Sequence, residues 1–430
     1  MLASQQIAIH RSQTIVMDMR IPTLLCVLVF LCVGPTTTCN LFGQQPSQQL
    51  LQDGQRPPEI KPKTEEFKKA LAELRAHLAK LNATVVRFNT GETSEDRKYR
   101  KQWNDQIEAG IPLFHAMLQA ALAEFKQDPA KNVEIANLLY YVAKQEIEGD
   151  RPEGMLDIVE ALLEFDYPDP ELRNFHTVAA FAVNEYDRCY ESLKLLVDSQ
   201  RASEQLAMMF EKFEDNIALW EQELEYRKQD AEGEPLPKVL IKTTKGDIEL
   251  ELFENNAPET VGNFISLVES GFYENQTFHR VMQHFMAQTG CPNGDGTGSA
   301  GYTVYGEMNK PNARNFFRGT VGLALATNTQ TGQTLPNSGG SQFFFSVLPS
   351  YTLNGKYTAF GRITKGLHVL GLLAKIDPDE KKEKKDEDKK VMPDEIISIE
   401  VLSKRDHEYK PNKVSDGGVF GGIVPADTGN

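Results

Sequence analysis

The 430-residue sequence predicts two domains of different fold class, an all-α domain followed by a mainly-β closed barrel with two helices. Apolar residues recur at spacings of three and four from Phe67 onward, which is typical of helices that bury one face. The segment 232–237, EGEPLP, interrupts that pattern. After it, apolar and polar residues alternate between glycine-rich turns, which is typical of short antiparallel β-strands.

The first element, residues 1–39, has the organisation of a secretory signal peptide. Basic residues precede an apolar run at 21–34, and small threonines follow it. The run is shorter than the roughly 20 residues of a bilayer span, so it favours export over an uncleaved anchor or a buried segment. Cys39 lies where a lipoprotein is acylated, but Thr36 departs from that motif. We expect an exported protein, periplasmic, in the cell envelope or secreted, with membrane contact only through an uncleaved or lipidated N-terminus.

The helical domain is expected over residues 61–235, behind a flexible leader at 40–60 that is rich in Gln, Pro and Gly. Its first helix carries one apolar stripe from Phe67 to Val85. Further helices are predicted near 111–125, 133–147, 155–165, 171–183, 191–197 and 202–226. Trp103 and Trp220 are expected in the core of this domain.

A weak self-similarity runs through the helical domain at an offset of 37 residues. It matches the pair Asp150 and Arg151 with the pair Asp187 and Arg188. Helix pairs near this period form α-solenoids that resemble tetratricopeptide arrays, whose stacked hairpins present a groove for peptides and so favour protein partners. An irregular helical bundle with a chance match explains the same pattern equally well.

The mainly-β domain is expected over residues 236–405. A helix is predicted from Pro258 to Gly271, because proline suits the first turn of a helix and glycine ends one. Strands are expected at 239–241, around 248–252 and at 395–402, with a second helix near 367–373. Residues 379–390 hold six Lys and six acidic residues, which indicates a solvated loop. The tail, residues 406–430, is predicted to be disordered.

The net charge of −15 is concentrated in the helical domain. Residues 61–235 hold 35 acidic and 22 basic residues, a net charge of −13, whereas 236–405 hold 19 of each. This balance excludes nucleic-acid binding by phosphate neutralisation. A solvated acidic surface explains it, and recruitment of basic or unfolded chains is the alternative.

The chemistry is concentrated in one segment, 278–290, with the sequence FHRVMQHFMAQTG. It contains no pair of nucleophile and base and no set of metal ligands. We expect His279 and His284 to be structural, with their hydrogen bonds satisfied. Cys291 is expected to be a small buried side chain, because no activating pattern surrounds it.

This segment resembles the cyclophilin signature, and the similarity extends over about residues 238–405. Further blocks occur in the same order and spacing: GTVGLA at 319–324, GSQFF at 340–344, LNGK at 353–356 and FG at 360–361. The resemblance implies an eight-stranded barrel closed by two helices. It also implies peptidyl-prolyl cis-trans isomerase activity on proline-containing polypeptides, in support of protein folding.

The residue types suit that reaction. Rotation of an X-Pro bond disrupts amide resonance across a barrier of roughly 20 kcal/mol and makes no new bond, so it needs no acid, base, metal or cofactor. The resemblance implies that Arg280 donates to the prolyl nitrogen and that Gln288 orients the guanidinium. It implies a proline pocket and substrate groove formed by Phe285, Met286, Gly296, Ala324, Leu325, Ala326, Gln342, Phe344 and Leu353.

Four departures from the family pattern bear on binding. Thr352 stands where many members carry the Trp that cyclosporin uses, so we expect weak drug binding. Tyr357 replaces a frequent His and keeps an aromatic wall. Leu325 replaces an Asn that contributes through its main chain. The loop at 327–340 is longer than the common form, which we expect to change substrate preference more than catalysis.

The sequence therefore predicts an exported peptidyl-prolyl isomerase that acts as a folding factor. Two alternatives come from other functional classes. One is a proline-peptide binding or scaffold module with vestigial isomerase activity. The other is a chaperone in which the helical domain binds unfolded chains and the barrel assists.

Overall fold

The computed structural model describes residues 60–89, 96–328, 330–377 and 391–414. The expected signal peptide, the leader up to residue 59 and the charged loop at 379–390 lie outside these residues, as does the tail beyond 414. Within the described ranges, no helix is both long and apolar enough to cross a bilayer.

The N-terminal part is helical, and the helices follow the apolar spacing. Helix α2 begins well before the expected residue 111, because Trp103, Ile107 and Phe114 continue its buried stripe. The segment predicted as one helix at 202–226 is interrupted at Lys212. The helices are α1 (Glu65–Asn89), α2 (Asp96–Gln127), η1 (Pro129–Lys131), α3 (Val133–Glu148), α4 (Leu156–Glu164), α5 (Leu172–Ala182), α6 (Tyr186–Asp198), α7 (Glu204–Glu211) and α8 (Phe213–Glu232).

The ends of helices α3 to α6 repeat with a period of 34 residues. Asp150 and Asn184 follow α3 and α5 with φ of 61° and 62°, and Asp166 and Gln200 follow α4 and α6 with φ of 51° and 56°. At each end the next amide donates back to a carbonyl of the last helical turn, as Arg151 does to Glu146 at 2.8 Å. The offset of 37 residues was therefore wrong, because equivalent backbone positions, not matching side chains, define the repeat.

The C-terminal part is one antiparallel sheet of eight strands with helices packed on it. The strand order is β3-β4-β6-β5-β7-β2-β1-β8. The elements are β1 (Lys238–Thr243), β2 (Gly246–Leu252), α9 (Pro258–Glu269), β3 (Arg280–Met282), β4 (Met286–Thr289), β5 (Thr320–Leu323), β6 (Phe343–Ser346), η2 (Tyr351–Leu353), β7 (Ala359–Lys365), α10 (Val369–Leu372) and β8 (Ile396–Ser403).

The sheet curls into a half-barrel, which corrects the expectation of a closed barrel. Strands β3 and β8 are its two edges, and within the described residues they form no ladder with each other. They meet at one antiparallel bridge, between Thr277 and Glu395: the Phe278 amide donates to the Asp394 carbonyl at 2.8 Å, and the Ile396 amide donates to the Gln276 carbonyl at 2.8 Å. Strand β3 is three residues long and begins after this bridge, so no continuous ladder completes the ring.

The first residues of the expected disordered tail pack against the sheet domain. Tyr409 is buried, and its hydroxyl donates to Glu254 at 2.8 Å. The Val414 amide donates to the Thr303 carbonyl at 2.9 Å. The prediction of disorder was therefore wrong for residues 406–414, because one buried aromatic ring and several hydrogen bonds anchor them.

The helical part docks on the sheet through buried charges. The Arg314 side chain is fully buried and binds Glu223 of α8 through two hydrogen bonds of 2.9 and 3.0 Å. It also lies 3.0 Å from Asp230 and above the Phe253 ring. Trp220, expected in the helical core, is half-buried at this junction, edge-on to Phe317. The junction is therefore part of the folded core.

Replacing Arg314 by Met should lower the free energy of unfolding by about 3–5 kcal/mol, because Glu223 and Asp230 would lose the fully buried cation that binds both and keep the more exposed Arg227 and Arg362. Denaturant unfolding of the full chain measures this change. Lys212→Met is the matched control: its pair with Asp215 is exposed, and such pairs contribute at most about 1 kcal/mol. Equal losses for the two variants would contradict the role assigned to the buried pair.

Candidate functional site

Four neighbouring strands place the central side chains of the candidate site in one row. Arg280 of β3 lies opposite Gln288 of β4, and Gln288 lies opposite Phe344 of β6. Phe344 in turn lies opposite Gly322 of β5. Because directly opposed residues project from the same face of a sheet, the three side chains share one face. The segment at 278–290 and the GSQFF block thus meet, although the sequence separates them by some fifty residues.

The opposite face of the same strands forms the core. Phe343 and Phe345 alternate with Phe344 and are buried, and Phe343 packs edge-on against Phe264 of α9. A shift of one residue in β6 would exchange these faces. The core therefore fixes which aromatic ring reaches the site.

A hydrogen-bonded pair of glutamines, Gln288 and Gln342, holds the middle of the row in place. The Gln288 amide donates to the Gln342 side-chain oxygen at 2.8 Å. The Gln342 amide donates at 2.8 Å to the carbonyls of both Gly296 and Gly298. Gly296 has a φ of 85°, a conformation that glycine adopts at little cost. Gln288, expected to orient the Arg280 guanidinium, is thus itself held by Gln342, which sequence reasoning placed only in the groove lining.

Aromatic and aliphatic side chains surround Phe344. Its ring lies edge-on to Tyr357, with centroids 5.5 Å apart, and stacks on Phe316 at 5.6 Å. Leu353 is buried in the same apolar cluster. Burial raises the pKa of Tyr357, and the positive charge of Arg280 opposes that shift. Phe344 and Tyr357 therefore lie together, and Arg280 is close enough for its positive charge to affect the pKa of the Tyr357 hydroxyl.

Phe316 is a pocket neighbour that the sequence did not reveal. A Cβ on Gly322 would lie 2.5 Å from the Phe344 ring and 2.6 Å from the Phe316 ring. Gly322 is therefore required for the two stacked rings to lie over β5. The glycine within GTVGLA was a signal for such a close approach.

Phe285 and Met286 lie at the start of β4. Met286 is buried on the same face as Gln288, two residues further along the strand. Phe285 is half-buried, and its carbonyl accepts from the Val347 amide at 2.9 Å. Thr352 is exposed beside the buried Leu353. The weak cyclosporin binding expected from Thr352 stays a prediction.

The main chain at Leu325 differs from that of its neighbours in its hydrogen bonds. The Ala324 amide donates to the Gln342 carbonyl at 3.0 Å, and the Ala326 amide donates to the Ser338 hydroxyl at 2.8 Å. Between them, the Leu325 amide and carbonyl make no hydrogen bond within the part of the chain that the structure describes. Leu325 as a whole is buried, with its side chain near Gly339, and these two unpaired main-chain groups are what it offers a substrate.

The loop at 327–340 folds back on itself next to Leu325. Thr327 pairs with Thr334, and the Leu335 amide donates to the Ala326 carbonyl at 2.9 Å. Its effect on substrate preference stays a prediction.

The two histidines of the segment differ. Burial lowers the pKa of His279 to about 4, so this side chain is neutral at ordinary pH. Its ring lies beneath Gly296. His284 instead has a φ of 58° and binds Asp150 of the helical domain, a contact that no local pattern predicted. Cys291 is buried, as expected.

Comparisons with known proteins assign the sheet domain to a family. Residues 238–401 match the family described as cyclophilin type peptidyl-prolyl cis-trans isomerase/CLD. Peptidyl-prolyl cis-trans isomerase-like 1 of Neurospora crassa is 35% identical over 170 residues, which are 40% of this chain and 97% of that protein. Peptidyl-prolyl cis-trans isomerase of Synechococcus elongatus is 42% identical over 127 residues, 30% of this chain and 80% of that protein.

A third relative is much longer than the matched region. Peptidyl-prolyl cis-trans isomerase cyp15 of Rhizopus delemar is 41% identical over 148 residues, which are 33% of this chain and 22% of that protein. The family match begins at residue 238, where β1 begins. The family assignment therefore rests on the sheet domain, and the helices that precede it lie outside the family match.

Replacing Gln342 by Leu should lower the free energy of unfolding by about 2 kcal/mol or more, because the Gly296 and Gly298 carbonyls would each lose a buried donor. Urea unfolding of the full chain checks this. Gln333→Leu in the exposed loop is the matched control and should change stability little. If the two variants unfold at the same urea concentration, the glutamine pair does not hold the site.

Proposed function

The chain belongs to the cyclophilin-type peptidyl-prolyl cis-trans isomerases, and from that membership we propose that it accelerates X-Pro bond rotation in exported polypeptides through Arg280. The observation that carries this proposal is the row of Arg280, Gln288 and Phe344 on one face of the sheet. It brings a buried cation to the same face of the sheet as the apolar side chains that we expect to hold the proline ring. We infer that this pocket takes the proline and that the groove takes the flanking chain.

Arg280 supplies the electrostatic part of the mechanism. As the X-Pro bond twists, resonance is lost and the nitrogen lone pair localises. A guanidinium that donates to this nitrogen stabilises the twisted amide more than the planar one, and only such a preference speeds the reaction. About 1.4 kcal/mol of such preference raises the rate of isomerisation tenfold. Gln288, held by Gln342, limits the directions in which the guanidinium can move.

The pocket walls supply the second part. Phe285, Met286, Phe344 and Leu353 exclude water from the proline ring, which strengthens the contact between the guanidinium and the nitrogen. The unpaired main-chain groups of Leu325 hold the polypeptide on one side of the bond while the other side rotates. The reaction makes no covalent bond, so positioning and polarity are sufficient.

The helical domain is proposed to bind protein partners as a tetratricopeptide-like array. The period of 34 residues in its helix ends supports this, since tetratricopeptide units have that length. The acidic excess of this domain suits basic or unfolded chains that would be passed to the isomerase.

Replacing Arg280 by Ala should lower kcat/KM for proline isomerisation on the order of 100-fold, the scale of losing one preorganised donor to a transition state. Isomerisation of a short Ala-Pro peptide by the full chain, followed by exchange NMR, measures this. Arg75→Ala on the exposed face of α1 is the surface control, and matched melting temperatures exclude misfolding. Peptide binding without turnover in either form would instead support a scaffold or chaperone.

Export is proposed from the signal sequence at 1–39. A mature protein isolated from the envelope or secreted fraction should begin near residue 40, because the small residues after the apolar run suit a signal peptidase. N-terminal sequencing of that protein tests this, and mass spectrometry detects any lipid on Cys39. An intact N-terminus in a soluble intracellular fraction would overturn the proposal.

A further inference from the structure

The turn after α3 packs against the isomerase domain. This turn comprises residues 149–153, and four of its groups contact the sheet domain. The Asp150 carbonyl accepts from Arg318 at 2.7 Å, and the Glu153 carboxylate pairs with the same guanidinium. Arg151 donates to the Gly371 carbonyl at 3.2 Å. The turn is therefore fixed to the isomerase on several sides.

The fourth group, the Asp150 carboxylate, reaches the strands that carry the site. Its side chain is fully buried. One oxygen lies 2.9 Å from the His284 amide and 2.7 Å from His284 Nδ1, and the other accepts from Lys375 Nζ at 2.6 Å. His284 directly precedes Phe285. Lys375 directly precedes Ile376, whose main chain pairs with Val281 next to Arg280.

The carboxylate is held in its charged form. Burial raises the pKa of Asp150, but the hydrogen bond from His284 and the charge of Lys375 outweigh it, so the net shift is downward. A buried carboxylate with two partners is a rigid anchor, because moving either partner leaves a charge uncompensated. The hairpin of β3 and β4 is thus fixed from outside the sheet.

The equivalent turn one repeat later holds the other side of the pocket. Tyr186 opens α6, two residues after Asn184, the counterpart of Asp150 in the period of 34. Its hydroxyl hydrogen-bonds the Tyr351 hydroxyl of η2, and the Tyr351 ring packs edge-on against Phe181 at 5.8 Å. Tyr351 therefore packs against the helical core although it belongs to the element that carries Thr352 and Leu353.

We propose that the helical domain positions both walls of the proline pocket, with Asp150 acting on the turn before Phe285 and Tyr186 acting on η2. Asp150 and Tyr186 are positioning residues, since neither touches the row of Arg280 and Gln288. The helical domain thereby sets the width of the pocket and so the fit of the proline ring. This inference rests on the proposed isomerase function and extends it to residues outside the family match.

The test compares Asp150→Asn and Tyr186→Phe in the full chain. Asparagine tolerates a positive φ, so the turn is kept while the charge is lost. Both variants leave the water-excluding side chains and Arg280 in place and alter only the width of the pocket. The apolar contacts with the proline ring are present in the ground state and the transition state alike, so each variant should raise KM for a short Ala-Pro peptide about fivefold with kcat within about twofold. A merely structural role would lower the active fraction, and hence kcat, at unchanged KM.

Two control variants match the chemistry away from the junction. Asp166→Asn alters the same left-handed position after α4, where the side chain is exposed. Tyr190→Phe removes a hydroxyl from the same helix as Tyr186. Both should leave KM and kcat unchanged. If Asp150→Asn does not fold, Tyr186→Phe still tests the second wall.

The outcomes separate the two levels of the proposal. No turnover by the wild-type chain would refute the proposed function, and titration of the same Ala-Pro peptide would still test positioning through its Kd. KM values equal to those of the controls would overturn the positioning role. A change for one variant alone would overturn the role of the other residue.

Discussion

Register across β3, β4, β6 and β5 is the constraint on which the rest of the site depends. Opposed residues in an antiparallel ladder share a face, so Arg280, Gln288 and Phe344 are adjacent only while these pairings hold. The buried rings of Phe343 and Phe345 on the other face make any slip expensive. The core of the sheet domain and the geometry of the site are therefore set by the same pairing.

This geometry is enough for the chemistry. An isomerase of X-Pro bonds forms no intermediate, so it must only prefer a twisted amide to a planar one. In the mechanism proposed for Arg280, a buried guanidinium would meet that need where water is excluded, because the interaction is strongest in a poorly polarisable pocket. The contact of Gln288 with Gln342, which also holds the Gly296 and Gly298 carbonyls, ties the position of the cation to the shape of the groove.

Contacts between the two parts explain some of the acidic residues of the helical domain. Some of its carboxylates pair with cations of the sheet domain: the buried Glu223 and Asp230 bind Arg314, the buried Asp150 binds Lys375, and the half-buried Glu153 binds Arg318. Part of the charge imbalance between the domains is thus used in holding them together. The remaining acidic surface is what a basic or unfolded partner would meet.

The sequence by itself determined the two fold classes and the helix from Pro258, and it predicted the residues of the candidate site, of which Arg280, Gln288 and Phe344 lie in one row. These follow from local periodicity, from proline and glycine at helix ends, and from motifs whose order resembles a known family. It did not determine the period of 34 or the packing of residues 406–414. Nor did it reveal that Asp150, Tyr186 and Phe316 lie beside the pocket. The contacts among them depend on which surfaces meet after folding, and only the tertiary structure brings together residues as distant in sequence as Asp150 and His284 or Tyr186 and Tyr351.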